Sequence, residues 1–332
     1  MKKIRIFING FGRIGRSAAR IILDDPGLEL AGINDLYSFE QMAYLLKYDS
    51  LYSTLRCDIR LQNNELHIDH QTVKLFSQCD AANIDIKSLD IDIVLQCSGM
   101  FLTVESNMLW IKNGAKKVIV STPPSDEMPT YIFGVNHKEY RQETIVSNSS
   151  CSANAIVPIF KIIDKHFGIR SAMMSMYHSY TFYQNLLDNK HYSTEIRRTR
   201  SATQNIIPLA STAAKATEYF FPHLKDQFHA VSIRVPIPAV TLYDLSISLH
   251  STGTKEEINS RLTEEIEFFY ENILDITNAP EESSKYVKNP YSATINLPFT
   301  MLSEGNLLRI SAWQDNEYGY AGRLVDMAKA IS

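Results

Sequence analysis

The chain has 332 residues, of which 45% are hydrophobic and 21% are charged, and its formal net charge is −4. That length allows two domains with substantial cores, and the composition is typical of a soluble globular protein. The charge balance argues against nucleic acid or an anionic membrane as a partner. No apolar run of the sequence approaches the ~20 residues that span a bilayer, and the polar residues near the start argue against a signal peptide. Four cysteines without a C-x-x-C pair favour a reducing, cytoplasmic compartment, and we expect no disulfide framework and no metal site.

The N-terminus combines a strand, a glycine-rich turn and a helix. Residues 4–8 are β-branched or aromatic at most positions, which predicts a buried strand, and residues 17–23 predict a helix. The pattern G-x-G-x-x-G between them is typical of a dinucleotide-binding turn. Gly10 permits the tight turn, Gly12 lets the backbone approach a pyrophosphate, and Gly15 lets the helix pack on the strand. The helix N-terminus offers N–H groups to the phosphates.

A second strand, over residues 29–33, is followed by a carboxylate at the distance that this motif requires. Asp35 lies 20 residues beyond Gly15 (35 − 15). A carboxylate there can accept hydrogen bonds from the adenosine ribose and repel a 2′-phosphate, so we expect NAD rather than NADP. Residues 55–77 predict a polar β-hairpin insertion that turns at Asn63-Asn64.

Strand and helix alternate through the rest of the N-terminal half, which predicts a doubly wound parallel sheet. Residues 91–99 predict a strand that ends in a turn, 104–113 a helix, and 118–120 a further strand. Ser98 and Ser121 therefore lie at the carboxyl ends of parallel strands, where such a sheet binds its ligand.

The run S-N-S-S-C-S-A-N at residues 147–154 introduces a cysteine just before a helix-forming segment. Ser and Asn are favoured helix N-caps, so we expect Cys151 in the first turn of that helix. The positive end of the helix dipole favours the thiolate, which is the reactive form. The alternative is a small buried thiol without a chemical role. The domain boundary also falls at about residues 148–151, which would place Cys151 at an interdomain cleft.

The C-terminal half predicts long strands separated by short turns, with a few crossing helices. Such a pattern indicates a mostly antiparallel sheet that is covered on one face. The predicted strands are 171–178, 229–235, 241–250 and 307–313, the predicted helices are 210–221, 255–273 and 318–331, and residues 181–200 form a long loop.

These segments together resemble the phosphorylating glyceraldehyde-3-phosphate dehydrogenase family over nearly the whole chain. The resemblance is carried by residues 9–16 (N-G-F-G-R-I-G-R), 147–151 (S-N-S-S-C), 178–181 (H-S-Y-T) and 315–320 (D-N-E-Y-G-Y). It implies an α/β protein with a Rossmann NAD-binding domain at 1–150 and an α+β catalytic domain at 151–316. It also implies that the helix at about 317–332 packs back on the first domain and that the chain is a homo-oligomer, typically a homotetramer.

In this family a cysteine thiolate adds to the aldehyde, hydride loss to NAD leaves a thioester, and inorganic phosphate releases an acyl phosphate. By resemblance, Cys151 is the nucleophile and His178 is the base, whose near-neutral pKa suits proton removal and whose charge can stabilise the thiolate. The motifs and the resemblance assign cofactor binding to Gly10, Gly12, Arg13, Ile14, Gly15, Asp35, Ser98, Ser121 and Asn316. They assign the two phosphate groups to Ser150, Ser152, Thr181, Arg198, Ser211, Thr212 and Arg234.

Several positions depart from the family pattern. Phe182-Tyr183 stands where Asn-Asp is usual, so a tyrosine replaces a carboxylate near the substrate phosphate. Ser211-Thr212 replaces Thr-Gly, Cys79 replaces a basic residue near the adenosine phosphate, and Ala155 replaces a second cysteine. These changes leave the catalytic pair intact and bear on the affinity for phosphate and cofactor.

Two other functions fit the same sequence. Residues 197–200 and 220–222 resemble the erythrose-4-phosphate-oxidising branch, whereas Tyr180-Thr181 and Ser211-Thr212 resemble the glyceraldehyde branch better. The altered phosphate loop also fits a weakly active NAD-binding or interaction protein. The expected partners are a small phosphorylated aldehyde and inorganic phosphate. The choice of triose or tetrose and the glycolytic or gluconeogenic direction stay open at this point.

Overall fold

Two β-sheets organise the chain, one in each of two units. The computed structural model describes residues 2–251, 253–303 and 306–332. The first unit comprises Met1–Ser150 and Tyr320–Ser332, and the second comprises Cys151–Gly319.

The sheet of the first unit has the strand order β3-β4-β5-β2-β1-β6-β7-β8. The six strands from β5 to β8 are parallel, and in chain order they give the 3-2-1-4-5-6 arrangement of a dinucleotide-binding fold. The strands are β1 (Ile4–Asn9), β2 (Leu28–Asn34), β3 (Ile59–Gln62), β4 (Glu65–Ile68), β5 (Gln71–Phe76), β6 (Ile93–Gln96), β7 (Lys117–Val120) and β8 (Ile145–Ser147); the helices that they alternate with are α1 (Arg13–Asp24), α2 (Phe39–Lys47) and α3 (Val104–Lys112).

The central strands of this sheet are buried because helices cover it. All four residues of β6 are buried, as expected for a parallel strand enclosed on both faces. Phe7 of β1 packs against Trp110 of α3 with ring centroids 5.4 Å apart, and both side chains are almost completely buried. This contact packs α3 against the sheet at β1.

The sheet of the second unit has the order β10-β11-β9-β12-β16-β14-β13, with β15 paired to β16. Among the strand pairs of the described residues, β9–β11 and β13–β14 alone are parallel, so the predicted mostly antiparallel sheet and the α/β fold class are confirmed. The elements of this unit are α4 (Cys151–Phe167), β9 (Ile169–Ser179), β10 (Ile207–Ala210), α5 (Ala213–Glu218), β11 (Phe228–Val235), β12 (Thr241–Leu249), α6 (Lys255–Phe269), β13 (Leu274–Thr277), β14 (Ala293–Asn296), β15 (Met301–Ser303) and β16 (Leu307–Gln314). The last helix, α7 (Tyr318–Ile331), belongs to the first unit from Tyr320 onward.

One face of the second sheet is more deeply buried than the other. Alternate residues of β12 are buried, and helices α4, α5 and α6 pack against β9, β11 and β13. The opposite face carries Met173 and Tyr177 of β9 and Val231 of β11, which are 66%, 37% and 45% exposed. We call this the open face.

Three elements differ from their predicted form. The hairpin at Asn63-Asn64 is present, with φ of 51° and 63°, but the following strand β5 pairs in parallel with β2 and belongs to the main sheet. The helix predicted from residue 210 begins at Ala213 because Ala210 still pairs with Val231 as the end of β10. The helix predicted to end at residue 273 ends at Phe269. Within the described ranges no helix is long and apolar enough to cross a membrane.

Candidate active site

The first and third glycines of the turn are required by contacts within the protein. Gly10 has a φ of +96°, and a Cβ there would lie 2.4 Å from the backbone nitrogen of Ser98. A Cβ on Gly15 would lie 2.1 Å from the carbonyl oxygen of Gly10. Both distances are far below van der Waals contact, so the turn can close against β6 and α1 only with glycine at these positions.

Gly12 differs, because a Cβ there would meet no described atom within 4 Å. Its φ of −69° is accessible to any residue, so neither packing nor backbone geometry demands glycine at this position. The space above Gly12 lies at the N-terminus of α1, where the orientation of the helix N–H groups favours an anion. The residues therefore fit a dinucleotide whose pyrophosphate would approach the backbone at Gly12.

Asp35 follows β2 and is tied to the same turn. Its carboxylate accepts a hydrogen bond from the backbone N–H of Phe11 and another, at 2.6 Å, from the N–H of Leu36. Each carboxylate oxygen keeps a second lone pair, which can accept from a ribose hydroxyl. Asp35 thus holds the backbone of the glycine turn, which the sequence did not predict. The same carboxylate can still make the predicted contact with the cofactor ribose.

A chain of buried amides lies directly below the glycine turn. Asn9 Nδ2 donates to Gln96 Oε1 at 2.8 Å, and Asn34 Nδ2 donates to Asn9 Oδ1 at 2.7 Å. Ser98 Oγ donates to the same Gln96 oxygen at 2.9 Å. These bonds join the carboxyl ends of β1, β2 and β6, and they fix Ser98 where the sequence placed it. Ser121, at the end of β7, is also buried.

The remaining predicted cofactor residues of the first unit begin α1. Arg13 forms an ion pair with Asp49 and lies over the ring of Tyr52, with its guanidinium carbon 4.9 Å from the ring centroid. The charge of Arg13 is therefore partly neutralised by Asp49, whose side chain is 4% exposed. Ile14 is half-buried beside it.

Cys151 is the first residue of α4, as predicted, but its ionisation differs from the prediction. Burial raises the pKa of the Cys151 thiol, although Ser152 and the positive charge of Arg234 act in the opposite direction. Ser152 Oγ lies 4.0 Å from Cys151 Sγ. The helix N-terminus alone therefore does not produce a thiolate in the ligand-free protein, because desolvation of the charge is the larger effect.

His178 stands at the end of β9 and is 6% exposed. Burial, and after it the positive charge of Arg234, lower the pKa of His178 to about 3. The expected near-neutral pKa is therefore wrong for the ligand-free protein. The ring is uncharged at neutral pH, which suits a base, but it cannot stabilise the thiolate as an imidazolium.

Arg234, rather than a charged His178, provides the positive charge that favours the thiolate of Cys151. It stands beside His178 in the parallel register of β11 and β9, and its Nη1 lies 2.6 Å from His178 Nδ1. Burial lowers the pKa of Arg234 to about 10, so the guanidinium still carries its charge at neutral pH. Its charge favours the thiolate form of Cys151.

A cavity of about 320 Å³ adjoins Arg234 in the second unit. None of the eight described residues that line it carries a carboxylate, and two carry a guanidinium, so its chemistry suits an anion. Thr181 is held in the wall because its N–H and its hydroxyl both donate to Gln184 Oε1, at 2.8 and 2.9 Å. The lining residues are Thr181, Tyr183, Gln184, His191, Tyr192, Ser193, Arg198 and Arg234.

The structure gathers three of the predicted phosphate residues, Thr181, Arg198 and Arg234, around this cavity. Ser211 and Thr212 are not among its lining residues; the Ser211 hydroxyl accepts a hydrogen bond from the N–H of Ala213 at the start of α5. Ser152 lies beside the nucleophile, and Ser150 is the last residue of the first unit before Cys151.

The sequence did not single out Tyr243 and Gln314, which lie next to the nucleophile. The hydroxyl of Tyr243 donates to Gln314 Oε1 at 2.7 Å, and Gln314 Nε2 donates to the carbonyl of Cys151 at 3.1 Å. Both side chains are at most 1% exposed. Asn316, which follows β16, accepts a hydrogen bond from Ser179 Oγ at 3.1 Å. Period-two alternation in β12 was the available signal for Tyr243, because it places this residue on the buried face.

Comparison with known proteins gives consistent results for both halves of the chain. The family model for the glyceraldehyde 3-phosphate dehydrogenase NAD binding domain matches residues 4–104, and that for the C-terminal domain matches residues 150–316. Glyceraldehyde-3-phosphate dehydrogenase 2 of Streptomyces avermitilis is 38% identical over 327 residues, covering 98% of this chain and 97% of the relative. The Helicobacter pylori enzyme of that name is 39% identical over 335 residues, covering 98% of each chain.

Proposed function

The chain belongs to the glyceraldehyde-3-phosphate dehydrogenase family, and from that premise we propose that it oxidises glyceraldehyde 3-phosphate with NAD and inorganic phosphate, through a thioester on Cys151. The observation that carries this assignment is the placement of Cys151 at the start of α4, with Arg234 acting on both Cys151 and His178 beside an anion cavity. The erythrose 4-phosphate alternative is not favoured, because the relatives named above are all glyceraldehyde-3-phosphate dehydrogenases.

The first bond forms between Cys151 Sγ and the aldehyde carbon. The sulfur adds to that carbon, the proton of the thiol passes to the carbonyl oxygen, and the product is a thiohemiacetal on Cys151. His178 then removes the hydroxyl proton while the carbon loses a hydride and becomes the thioester carbonyl. NAD, when bound, supplies the acceptor for that hydride. Inorganic phosphate attacks the thioester, the carbon–sulfur bond breaks, and the acyl phosphate leaves with the Cys151 thiolate restored.

Each unit has a proposed part in this reaction. Residues 1–150 form the NAD-binding domain, with the turn from Gly10 to Gly15 and Asp35 as the principal contacts and Arg13, Ile14, Ser98 and Ser121 around them. Residues 151–316 form the catalytic domain, in which Asn316 contacts the nicotinamide carboxamide. For the phosphates we propose Thr181, Arg198 and Arg234 at the cavity, and Ser150, Ser152, Ser211 and Thr212 near the nucleophile.

The test is NADH formation from glyceraldehyde 3-phosphate with and without inorganic phosphate, beside Cys151→Ser. We expect phosphate-dependent turnover that is lost in the variant, because serine is a far weaker nucleophile than a thiolate. A matched control is Cys57→Ser, which changes a half-buried thiol that is not among the predicted site residues and should keep full activity. Turnover that survives in Cys151→Ser, or that ignores phosphate, would contradict the mechanism. Faster turnover of erythrose 4-phosphate would overturn the choice of substrate.

We propose a cytoplasmic homotetramer as the working state. All four cysteines are free thiols in the described chain, which suits a reducing compartment. The open face and the loop after β9 both expose apolar side chains; in that loop Phe182, Leu187 and Tyr192 are 77–78% exposed. Exposed apolar surface of this extent is typical of a protein–protein interface.

A further inference from the structure

Two buried side chains tie the first turn of α4 to the sheet of the second unit. Gln314 Nε2 donates to the carbonyl oxygen of Cys151 at 3.1 Å, and the hydroxyl of Tyr243 donates to Gln314 Oε1 at 2.7 Å. Tyr243 lies on β12 and Gln314 is the last residue of β16. We call Tyr243 and Gln314 the anchor pair.

The direction of both hydrogen bonds follows from the groups that make them. A carbonyl oxygen can only accept, so the Gln314 atom that faces Cys151 is the amide nitrogen. The other end of the amide is then its oxygen, which also can only accept, so the Tyr243 hydroxyl is the donor. Tyr243 therefore orients the amide of Gln314, and that amide holds the Cys151 backbone.

The register of the sheet places the anchor pair in line with His178. Thr241 of β12 is opposite His178 of β9 on one side and opposite Gln314 of β16 on the other, and both pairings are antiparallel. Residues directly opposite each other share a face of the sheet, so His178 and Gln314 lie on the same, buried face. Two strand spacings, about 10 Å, separate their backbones. The sheet thus fixes the Cys151 carbonyl relative to the base.

The anchor pair contacts the first turn of α4 at a second residue. The hydroxyl of Ser152 forms a hydrogen bond with Tyr243, and Ser152 Oγ lies 4.0 Å from Cys151 Sγ. A tyrosine oxygen keeps lone pairs when its proton is used, so Tyr243 can accept from Ser152 while it donates to Gln314. Buried hydrogen bonds that share one hydroxyl favour a single position of this turn.

We propose that Tyr243 and Gln314 are positioning residues, which hold Cys151 in the place from which its sulfur attacks the aldehyde. This inference rests on the proposed function. Neither residue is among the described residues that line the anion cavity, so substrate binding should not depend on them. Their effect should appear in the rate of the chemical step, because a displacement of about 1 Å at a reacting atom slows a reaction strongly.

The experiment compares Tyr243→Phe, Gln314→Met and the double variant. Alkylation of Cys151 by iodoacetamide, followed by mass spectrometry, measures reactivity, and urea unfolding measures stability. We expect each single variant to be alkylated about fivefold more slowly, because each removes one hydrogen bond of the series. The double variant should be about as slow as Gln314→Met, since Tyr243 acts mainly through Gln314.

Stability should follow a different order from reactivity. Tyr243→Phe leaves Gln314 Oε1 buried without a donor, whereas the double variant leaves neither member of the pair unpaired. The double variant should therefore unfold at a higher urea concentration than Tyr243→Phe and still react slowly. A double variant that regains the alkylation rate together with stability overturns the proposal. Normal alkylation in Gln314→Met, or losses that multiply in the double variant, also overturns it.

Turnover separates this inference from the proposed function. With glyceraldehyde 3-phosphate and NAD, we expect slower single-turnover formation of NADH and an unchanged KM for the aldehyde in all three variants. A raised KM with an unchanged single-turnover rate contradicts positioning. Alkylation needs neither substrate nor cofactor. A protein with the expected alkylation pattern that forms no NADH keeps this inference and refutes the proposed function, and an active protein without that pattern does the reverse.

Discussion

At the scale of single residues, the ionisation of the catalytic pair depends on burial more than on the helix terminus. Cys151 has the position that lowers a thiol pKa, and its pKa is nevertheless raised because the side chain is removed from water. The same burial, with Arg234, holds His178 neutral.

This gives a specific pH dependence for alkylation of Cys151 by iodoacetamide in the ligand-free protein. The pKa of Cys151 is raised, so the thiolate fraction and the rate should climb with pH through the alkaline range. The pKa of His178 is lowered to about 3, so no step should occur near its ordinary value of 6.5. A rate plateau across neutral pH would instead indicate a thiolate–imidazolium pair and contradict the structure.

Tyr243→Phe tests the hydrogen bonds behind the nucleophile. The change leaves Gln314 Oε1 buried without its donor, which costs about 1–3 kcal/mol of unfolding free energy. The freed amide no longer holds the Cys151 carbonyl, so alkylation of Cys151 should slow as well. Urea unfolding and the alkylation rate measure the two effects.

The matched control is Tyr286→Phe. Tyr286 is 3% exposed, and its hydroxyl donates to Glu281 at 2.7 Å in the same unit. It should lose stability while Cys151 reacts at the normal rate. If both variants slow alkylation equally, the Tyr243 effect is a general loss of stability.

The site residues that lie within a short sequence motif could be predicted. Those that reach the site only through the pairing of strands distant in sequence were missed. Cys151, His178 and the glycines stand in segments whose spacing reflects their chemistry. Tyr243 reaches Gln314 only through the pairing of β12 with β16, which no local pattern encodes. Burial is the main cause of the lowered pKa of His178, and the further contribution of Arg234 could not be predicted, because Arg234 becomes its neighbour only through the β9–β11 register.

At the scale of elements, different glycines of the glycine turn serve stability and cofactor binding. Gly15→Ala should destabilise the protein by about 2 kcal/mol or more, since its Cβ overlaps the Gly10 carbonyl. Gly12→Ala should change stability by less than about 1 kcal/mol. Its Cβ enters the space proposed for the pyrophosphate, so NAD should bind roughly tenfold more weakly or worse. Thermal unfolding without ligand and calorimetric titration with NAD measure these effects.

Each glycine variant is the control for the other, because Gly15→Ala should mainly lower stability and Gly12→Ala should mainly lower NAD affinity. Equal losses of stability would mean that the space above Gly12 closes in solution. Unchanged NAD affinity in Gly12→Ala would exclude the pyrophosphate from that position.

Long elements with a clear period were predictable, and short or context-dependent ones were not. The strands at β9, β11, β12 and β16 were expected close to their observed bounds because each has eight or more residues, and β12 also alternates buried and partly buried residues along its whole length. β13, β14 and β15 have three or four residues each, too few for a period to show. β5 was assigned to the hairpin because its parallel partner β2 is distant in sequence.

At the scale of the whole molecule, the open face should determine assembly. The paired variant Met173→Glu with Val231→Glu places two charges on adjacent strands of that face and should shift the protein toward smaller species. Analytical ultracentrifugation measures the change. Phe268→Glu is the control, since Phe268 is 76% exposed on α6 of the same unit and should leave assembly intact. Unchanged assembly in the paired variant would locate the interface elsewhere.

The family and the fold class, which the sequence predicted from its motifs, are confirmed by the matched family domains and by the topology of both sheets. The mostly antiparallel character of the second sheet was predictable from its strand spacing. Its open face was not, because exposure of an apolar residue on a strand depends on which helices cover the sheet.

The buried amides below the glycine turn also protect Asn9 from deamidation. Asn9-Gly10 is an Asn-Gly sequence, the pair most prone to deamidation, which requires the Gly10 nitrogen to attack the Asn9 side chain. In the folded protein that nitrogen donates to Asn34 O at 2.8 Å, and both ends of the Asn9 amide are bound to Gln96 and Asn34. The ring closure is blocked until the turn opens. The fraction of molecules with aspartate at position 9 should therefore increase with the time that the turn has been open. Mass spectrometry of the peptide that contains residue 9 measures this fraction.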